Sequence, residues 1–377
     1  GHIMKRAFAP NLIAIVLCAS SCKMNPVPTA TIETTIAKAK SNGNFIPRSA
    51  AKDSFITQPK AMLMASQLST MSRTSILSIH SFAFSKIKKA LVDFKPDLIS
   101  CHSSAAGFWG RMTVRNKIPT LFTAHGWAFT EGVPIWRKYL AILAERLAGR
   151  YCSKIICVSD FDRLLALKYG IAQKEKFVVV HNGVEIEPLT ESKSFKEPFK
   201  IVFLGRLAVP KDPLLLLKAF SELSRDLKEK LELLIIGDGP QKKNIEEFIS
   251  NNALQGLVKV LGIVDRKNIF EILKKSHIFV LISNWEGFPR SVLEAMSCGL
   301  PVVASDVGGI KEAVKGDCGI LVQRGNKQEI KKAIEKLIKN PVLLQEMGRN
   351  ARLRVEQEFS LDKMLRQTES VYEEILQ

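Results

Sequence analysis

Two glutamates with seven residues between them stand in a stretch that is typical of a ligand-binding loop. Glu286 lies in residues 285–289 (WEGFP), directly after an apolar run, and Glu294 follows inside the next predicted helix. The amides of Gly287 and Phe288 lie at the positive end of that helix, which favours anions. The Glu286 carboxylate could accept hydroxyls of a sugar, and Glu294 could chelate the vicinal diol of a ribose. Two surface glutamates around a helix start are the alternative.

A cationic loop follows an earlier predicted strand. Gly205-Arg206 comes directly after that strand, and Lys211 stands five residues later. A glycine at this point lets backbone amides approach an anion, and two long cations could neutralise a diphosphate. A turn with solvated charges is the alternative. The turn Gly237-Asp238-Gly239-Pro240 follows the next strand, but such a turn is a weak signal when it stands alone.

A third motif has two competing interpretations. Asp160-Phe161-Asp162 has the Asp-x-Asp spacing of a metal-binding signature. It also follows Ser159 at the start of a predicted helix, where serine and aspartate are favoured as caps and acids suit the first turn. We favour the capping role.

Short apolar runs alternate with helical segments, which predicts parallel sheets built from βαβ units. The predicted strands of the first half are 12–18, 97–101, 120–123, 154–158 and 177–180, and its helices are 86–94, 107–117, 136–151 and 160–169. The predicted strands of the second half are 200–204, 231–236, 258–261, 278–282, 301–304 and 319–322. Its predicted helices are one that ends at 227, then 242–252, one that ends at 275, and 291–297. The last fifty residues are predicted to be helical, ending with 361–376. A signal-like segment is the alternative to the first strand, because Lys5-Arg6 precedes it and small residues with Cys22 follow it.

The polar segment 185–199 predicts a linker between two domains. The fold class is therefore α/β, with two Rossmann-like doubly wound domains, and a ligand is expected between them at the carboxyl ends of the strands. The predicted boundaries are 5–190 for the first domain and 198–360 for the second.

Composition excludes several other classes of protein. Of the 377 residues, 46% are apolar and 24% are charged, which is typical of a globular chain and not of a fibre. The seven cysteines include no C-x-x-C pair, which argues against a zinc ribbon and a disulfide framework and for reduced thiols. No apolar run reaches the roughly 18 residues that a membrane-spanning helix needs.

Positive charge is concentrated in the first half. The net charge is +18, and residues 1–195 carry 26 basic and 12 acidic side chains. Such a field attracts nucleic acid, an anionic membrane face or a pyrophosphate-bearing lipid. A solvated basic surface is the alternative, and no stacking ribbon or known module supports nucleic-acid binding.

The motifs taken together resemble a known family. The pattern EGFP-x4-EAM-x-CG-x-PVVAS from residue 286, with the turns at 205–211 and 237–240 upstream, resembles retaining glycosyltransferases of family 4. These enzymes have the GT-B fold, in which two Rossmann-like domains face each other across a cleft. The resemblance covers residues 97–377, and the segments 125–127 and 181–184 look like those of polysaccharide-building members.

The resemblance implies a role for each matching residue. On the donor side, Arg206 and Lys211 would bind the diphosphate and stabilise the leaving group. Glu294 would hold the ribose, and Val264 would lie by the base. The full set of donor-binding residues is Gly205, Arg206, Lys211, Gly237, Val264, Glu286, Gly287, Phe288, Pro289 and Glu294. His125, Arg206, Lys211 and Glu286 form the predicted catalytic set.

The resemblance also implies the partners and the setting of the reaction. His125, Asn182 and Gly183 would lie on the acceptor side, and residues 361–377 would form a helix that packs back on the first domain. The donor would be a UDP-, GDP- or ADP-sugar, and the acceptor a glycan or a polyprenyl-diphosphate-linked glycan. No metal or other cofactor is expected. A cytoplasmic enzyme in contact with an anionic membrane face would fit this chemistry.

One region departs from the family. Members carry a glycine-rich turn after the first strand, whereas the predicted strand 12–18 is followed by no glycine before Gly43. A nucleotide-sugar-binding protein without full catalytic activity is therefore the alternative function. A sugar-nucleotide 2-epimerase shares the fold but does not normally carry the EGFP loop.

Overall fold

The computed structural model describes residues 14–18, 76–186, 188 and 197–377. The segment 20–75, the Lys5-Arg6 start, the first two residues of the predicted strand 12–18 and the linker residues 189–196 lie outside this description. The described chain forms two parallel sheets flanked by helices, which is the predicted two-domain α/β architecture.

The first sheet contains five strands that pair in chain order, all of them parallel. These strands are β1 (Ala14–Cys18), β2 (Leu98–His102), β3 (Thr120–Ala124), β4 (Lys154–Cys157) and β5 (Phe177–Val179). The helices of this half are α1 (Ile76–Phe94), α2 (Ser104–Val114), α3 (Ile135–Gly149) and α4 (Asp160–Lys168), with a 3-10 turn at Lys174–Lys176. β3 is buried along its whole length because helices cover both faces of the sheet.

The second sheet has six strands. They are β6 (Phe199–Leu204), β7 (Leu231–Ile236), β8 (Val258–Gly262), β9 (Ile278–Leu281), β10 (Val302–Ser305) and β11 (Gly319–Val322). The helices are α5 (Pro213–Ser221), α6 (Arg225–Lys228), α7 (Lys242–Asn251), α8 (Arg266–Lys274), α9 (Arg290–Ser297), α10 (Ile310–Ala313), α11 (Lys327–Lys339), α12 (Pro341–Glu358) and α13 (Leu361–Leu376).

The strand order of the second sheet places two distant loops side by side. The order is β11-β10-β9-β6-β7-β8, so β6 and β9 are neighbours in the sheet although β7 and β8 lie between them in the sequence. Ile201 pairs with Ile278 and Val202 with Phe279. The direction of winding reverses between these strands, and in doubly wound sheets a crevice opens at such a point. The loops after β6 and β9 therefore meet at one edge.

Three predicted helices differ in extent from those observed, and one observed helix was not predicted. The predicted helix 107–117 is α2, which lies three residues earlier at both ends. α1 begins ten residues earlier than predicted, at Ile76. The predicted helix that ends at 227 is broken into α5 and α6 at Ser224, whose backbone is extended (φ −57°, ψ 152°) and which is the N-cap residue of α6. Lys228 Nζ also donates to the carbonyl of Ser221, the last residue of α5, at 3.0 Å. The short helix α10 was not predicted, since four residues carry too little periodicity to reveal a helix.

The last helix of the chain packs on the first sheet. Val371 of α13 is buried in a cluster with Leu121, Ile156 and Val180. The chain reaches that position by crossing between the domains, where Val184 N donates to Phe359 O and Leu361 N donates to Val184 O. These bonds tie the end of the first domain to the start of α13.

Candidate active site

The loops after β6 and β9 bring the cationic loop to the first glutamate. Lys211 Nζ forms a hydrogen-bonded ion pair with Glu286 Oε1, and both side chains are largely buried. Ser283 Oγ donates to the same carboxylate oxygen at 2.7 Å. An antiparallel bridge between Lys211 and Ser283 fixes the two loops. The pairing of β6 with β9 therefore brings together two residues that lie 75 positions apart.

The two glycine turns touch each other beside this ion pair. A Cβ at Gly237, whose φ is +142°, would lie 1.9 Å from the carbonyl oxygen of Gly205. A Cβ at Gly205 would lie 3.3 Å from the Lys211 side chain. Only glycine allows these backbones to approach so closely. The predicted donor-binding residues Gly205 and Gly237 are thus parts of one compact wall.

A second pair of glycines, Gly308 and Gly309, packs against the backbone of the EGFP loop. Gly309 N donates to Gly287 O at 2.9 Å. A Cβ at Gly308, whose φ is +55°, would lie 1.8 Å from the Glu286 carbonyl oxygen. Phe288 and Pro289 are buried, and Pro289 immediately precedes α9. The loop therefore delivers Glu286 and Gly287 to the edge of the sheet at the N-terminus of α9.

Glu294 lies one turn into α9 and is 5% exposed. Burial raises the pKa of its carboxyl, against the nearby charges of Arg290 and Arg266. Arg290 was not singled out from the sequence. Its Nε and Nη1 atoms are buried without a hydrogen-bond partner, and burial lowers the pKa of its guanidinium. A buried cation with unpaired donors is costly unless a ligand satisfies it.

The remaining predicted donor residues have less distinctive surroundings. Arg206 is exposed at the tip of the loop after β6. Val264 is partly buried beyond the end of β8 and packs against the core of the second domain. Both stand at the carboxyl edge of the second sheet, as the strand order requires.

Two histidines face each other at the edge of the first sheet. His125 follows β3 and is exposed, and its Nε2 lies 3.1 Å from Nδ1 of His102 at the end of β2. Desolvation lowers the pKa of His102 to about 3, with a further contribution from His125. Although the His125 side chain keeps contact with solvent, the protein packed around it desolvates the ring, and this and the charge of Arg290 lower the pKa of His125. His102 was not predicted as a site residue, although its position at a strand end was a usable signal.

The two domains meet at the EGFP loop. A Cβ at Gly287 would lie 2.8 Å from the His125 carbonyl oxygen, so the loop of the second domain touches the histidine loop of the first. Asn182 Nδ2 donates to Phe288 O at 2.7 Å. Gly183 is buried, and a Cβ there would lie 2.6 Å from Ser360 O. The structure thus brings His125 and Asn182 to the predicted site, whereas Gly183 packs against the start of α13.

Ser159 caps α4, and both aspartates of the Asp-x-Asp motif lie in the first turn of that helix. Ser159 Oγ accepts from Asp162 N at 3.1 Å and lies 2.8 Å from Asp162 Oδ2. The predicted capping role is therefore observed. Burial raises the pKa of Asp162 to about 7, despite the hydrogen bond from Ser159.

A carboxylate from the second domain also reaches the start of α4. Glu312 of α10 accepts hydrogen bonds from Asp160 N and Phe161 N, each at 2.8 Å, and lies 2.9 Å from His181 Nε2. Burial alone would raise the pKa of Glu312, but the hydrogen bonds from His181 and the two amides hold it below its usual value. Sequence reasoning missed Glu312 because it missed α10. This contact joins the two domains beside the cleft.

Comparison with known proteins agrees with this architecture. The family model for glycosyltransferase family 4 matches residues 70–188, and the model for glycosyl transferases group 1 matches residues 187–354. An Escherichia coli UDP-Gal:alpha-D-GlcNAc-diphosphoundecaprenol alpha-1,3-galactosyltransferase is 29% identical over 304 residues, which are 75% of this chain and 77% of that protein.

Solved structures show the same fold. The sucrose-phosphate synthase of Thermosynechococcus elongatus superposes with a TM-score of 0.70 and 19% identity, covering 81% of this chain and 80% of that one. Anabaena HepE in complex with UDP-glucose superposes with a TM-score of 0.68 and 22% identity, covering 77% of this chain and 82% of that one. The chain belongs to the group 1 and family 4 glycosyltransferases, and it has their GT-B fold.

Proposed function

We propose that the protein transfers a sugar from a nucleoside-diphosphate donor to a hydroxyl of a lipid-linked or free glycan, with retention of the anomeric configuration. The product would belong to a cell-surface polysaccharide. The observation that carries this proposal is the ion pair of Lys211 and Glu286 at the switch point of the second sheet. This pair would supply a cation for phosphate and a carboxylate for sugar hydroxyls from one wall of the cleft.

The diphosphate of the donor would lie between Lys211, Arg206 and the N-terminus of α9. Cationic side chains and the free amides of a helix start both stabilise phosphate. Arg290 adds a third cation, whose buried and unpaired Nε and Nη1 atoms need acceptors. We assign these donors to phosphate oxygens. Because these groups already supply positive charge, we propose that the reaction needs no metal ion or other cofactor.

The sugar and the nucleoside would be held by the two glutamates. Among the described residues, Lys211 and Ser283 donate hydrogen bonds to the Glu286 carboxylate, and both bonds go to Oε1. Oε2 is left to accept from hydroxyls of the transferred sugar. Glu294 would chelate the ribose diol, and Val264 would pack beside the base.

The chemical step would break the bond between the anomeric carbon and the β-phosphate oxygen while the acceptor hydroxyl attacks from the same face. The hydroxyl proton would pass to the departing phosphate oxygen. Fixed positive charge around that oxygen lowers the barrier, because it stabilises charge that develops as the bond breaks. His125, whose pKa is lowered, would be neutral at pH 7 and would bind a sugar or acceptor hydroxyl.

The relatives support the choice of substrates. The name of the Escherichia coli relative describes a UDP-galactose donor and a diphosphoundecaprenol-linked acceptor. The Anabaena structure holds UDP-glucose. We extend both classes of ligand to this chain as part of the proposal.

The proposal is tested by product analysis. The purified chain is incubated with α-linked UDP- and GDP-sugars, a diphosphate-linked disaccharide acceptor and EDTA, and the anomeric proton coupling of the product is measured by NMR. We expect an α-linked product in EDTA, loss of transfer in Lys211→Met, and normal transfer in Lys218→Met, which removes an exposed lysine of α5. A β-linked product would overturn retention, and transfer only after added metal would overturn metal independence. Equal rates in Lys211→Met and Lys218→Met would overturn the site.

A further inference from the structure

Helix α3 carries a continuous apolar face that is exposed. Side chains advance by about 100° per residue around a helix, so six large apolar residues fall within an arc of roughly 140°. Their exposed fractions range from 39% to 70%, and they are Ile135, Trp136, Tyr139, Leu140, Leu143 and Leu147. An exposed apolar surface of this size on one helix is a mark of an interaction site.

The opposite face of α3 packs against the core of the first domain, so the exposed apolar residues are not the ones that attach α3 to this domain. Ile142 and Ala148 are buried in the first domain. Glu145 is 3% exposed and pairs with Arg111 of α2 at 2.7 Å. This buried ion pair fixes the rotation of α3 about its axis. The exposed apolar face is therefore presented in a defined direction.

Charges around the exposed face are positive. Arg137, Arg146 and Arg150 are exposed on or directly after α3, and the Arg137 guanidinium lies 5.0 Å from the Trp136 ring centroid. The one acidic residue of α3 is Glu145, which is buried. A helix with large apolar residues and a basic border has the composition that places helices in the interface of anionic bilayers.

Helix α3 begins next to the candidate active site. The loop that joins β3 to α3 starts at His125 and includes Gly132, where a Cβ would lie 2.5 Å from the Trp285 ring of the EGFP loop. A surface that binds α3 would therefore lie near the mouth of the cleft. Within the described ranges no helix is long and apolar enough to cross a membrane, and α3 has 15 residues.

We propose that the exposed apolar face of α3, bordered by Arg137, Arg146 and Arg150, docks the enzyme on an anionic lipid bilayer. The helix lies in the plane of the interface, with its leucines and Trp136 among the acyl chains and its arginines on the phosphate headgroups. The benefit for catalysis rests on the proposed function, because only a lipid-linked acceptor is concentrated at such a surface. The docking itself does not depend on it.

The test uses the full chain and vesicles of phosphatidylcholine with or without 30% phosphatidylglycerol. We expect sedimentation with the anionic vesicles, a blue shift of tryptophan fluorescence that is lost in Trp136→Phe, and at least tenfold weaker binding by the double variant Leu140→Ser/Leu143→Ser. The matched control is Val342→Ser/Leu353→Ser, which removes two exposed apolar residues of α12. The control should bind vesicles as the wild type does. The melting temperatures of both variants should equal that of the wild type, because the substituted side chains are exposed.

Several outcomes would overturn the docking proposal. The proposal would be overturned if the wild-type protein did not bind anionic vesicles. It would also be overturned if Leu140→Ser/Leu143→Ser bound them as tightly as the wild type does. A wild-type dimer that the same variant converts to a monomer, without vesicle binding, would assign the face to a second copy of the chain. Transfer to a short-chain acceptor in detergent-free buffer separates this proposal from the proposed function, because the variant should retain that activity.

Discussion

His102 Nδ1 lies 3.1 Å from His125 Nε2, and the two imidazole rings stack with their centroids 5.3 Å apart. The contact exists because β2 and β3 are neighbours and both histidines stand at their carboxyl ends. A chain of polar contacts extends from this pair away from the cleft. His102 Nε2 lies 3.3 Å from Ser100 Oγ, and Ser100 Oγ accepts a hydrogen bond from the Tyr372 hydroxyl of α13. Two neutral imidazoles can share this bond only when one donates and the other accepts, so the tautomers of His102 and His125 are coupled.

The low pKa of His102 predicts an acid-sensitive contribution to stability. The histidine has a pKa of about 3 in the folded chain and an ordinary value near 6.5 when unfolded, so the unfolded state binds the proton first as pH falls. Stability is therefore lost as pH falls below 6.5. Between pH 7 and pH 5 the wild type should lose roughly 1–2 kcal/mol more than His102→Gln, as measured by urea unfolding at both pH values. Equal losses in the two proteins would show that His102 titrates normally.

Glu312 should stabilise the contact between the two domains. Its carboxylate accepts from two amides at the start of α4 and contacts His181, so Glu312→Ala leaves these donors unpaired. By analogy with the loss of a helix cap, we expect a cost of about 1–2 kcal/mol in urea unfolding. Small-angle X-ray scattering should also show a larger radius of gyration. Glu246→Ala on the exposed side of α7 is the control and should change neither quantity. An unchanged radius in Glu312→Ala would mean that other contacts hold the domains.

A methyl group at Gly287 should separate the loop of the second domain from the histidine loop. Its Cβ would lie 2.8 Å from the His125 carbonyl oxygen and 3.3 Å from Gly126 Cα, which are both backbone atoms. Gly287→Ala should therefore lower kcat for transfer at least tenfold. Gly316→Ala, where no atom lies within 4 Å of the new Cβ, should behave as the wild type. Wild-type kcat in Gly287→Ala would show that the approach of the loops is not needed for transfer.

The buried pair of Arg111 and Glu145 should be costly to break from one side. Arg111 is 0% exposed, donates to Gly107 O at 2.8 Å and stacks 3.9 Å from the Phe122 ring centroid. Removing one partner leaves an uncompensated buried charge, which typically costs about 3–5 kcal/mol. Arg111→Met should show this loss in urea unfolding. The double variant Arg111→Met/Glu145→Met should be more stable than Arg111→Met, and a double variant that is less stable would contradict this account.

The strands of both sheets could be predicted from the sequence because each is a short apolar run that ends in a turn. β7 and β11 match their predicted limits, and the others are within two residues of theirs. The fold class follows from the alternation of these runs with helices. The break between α5 and α6 was missed because no glycine or proline marks it, although Ser224, the N-cap residue of α6, was a usable signal.

The candidate site was predictable where function depends on a local motif. Glu286, Glu294 and the glycine turns stand out because their chemistry is unusual for the elements that carry them. His102, Arg290 and Glu312 did not stand out, because their importance depends on contacts between segments that are distant in sequence. The pairing of Glu312 with α4 spans about 150 positions and joins two domains, so no local pattern indicates it.

The proposed function requires that the second domain bind a nucleotide sugar through Glu294 and the cationic groups at α9. The most direct measurement is a thermal-shift panel of UDP-, GDP- and ADP-sugars on the wild type, Glu294→Ala, Arg290→Met and the control Glu246→Ala. A donor at a hundredfold excess over its Kd should stabilise the wild type by about 2.7 kcal/mol. We predict that sugars of one base shift the melting temperature of the wild type and the control, and that both site variants lose the shift. No shift with any donor, or an equal shift in Glu294→Ala, would contradict the account.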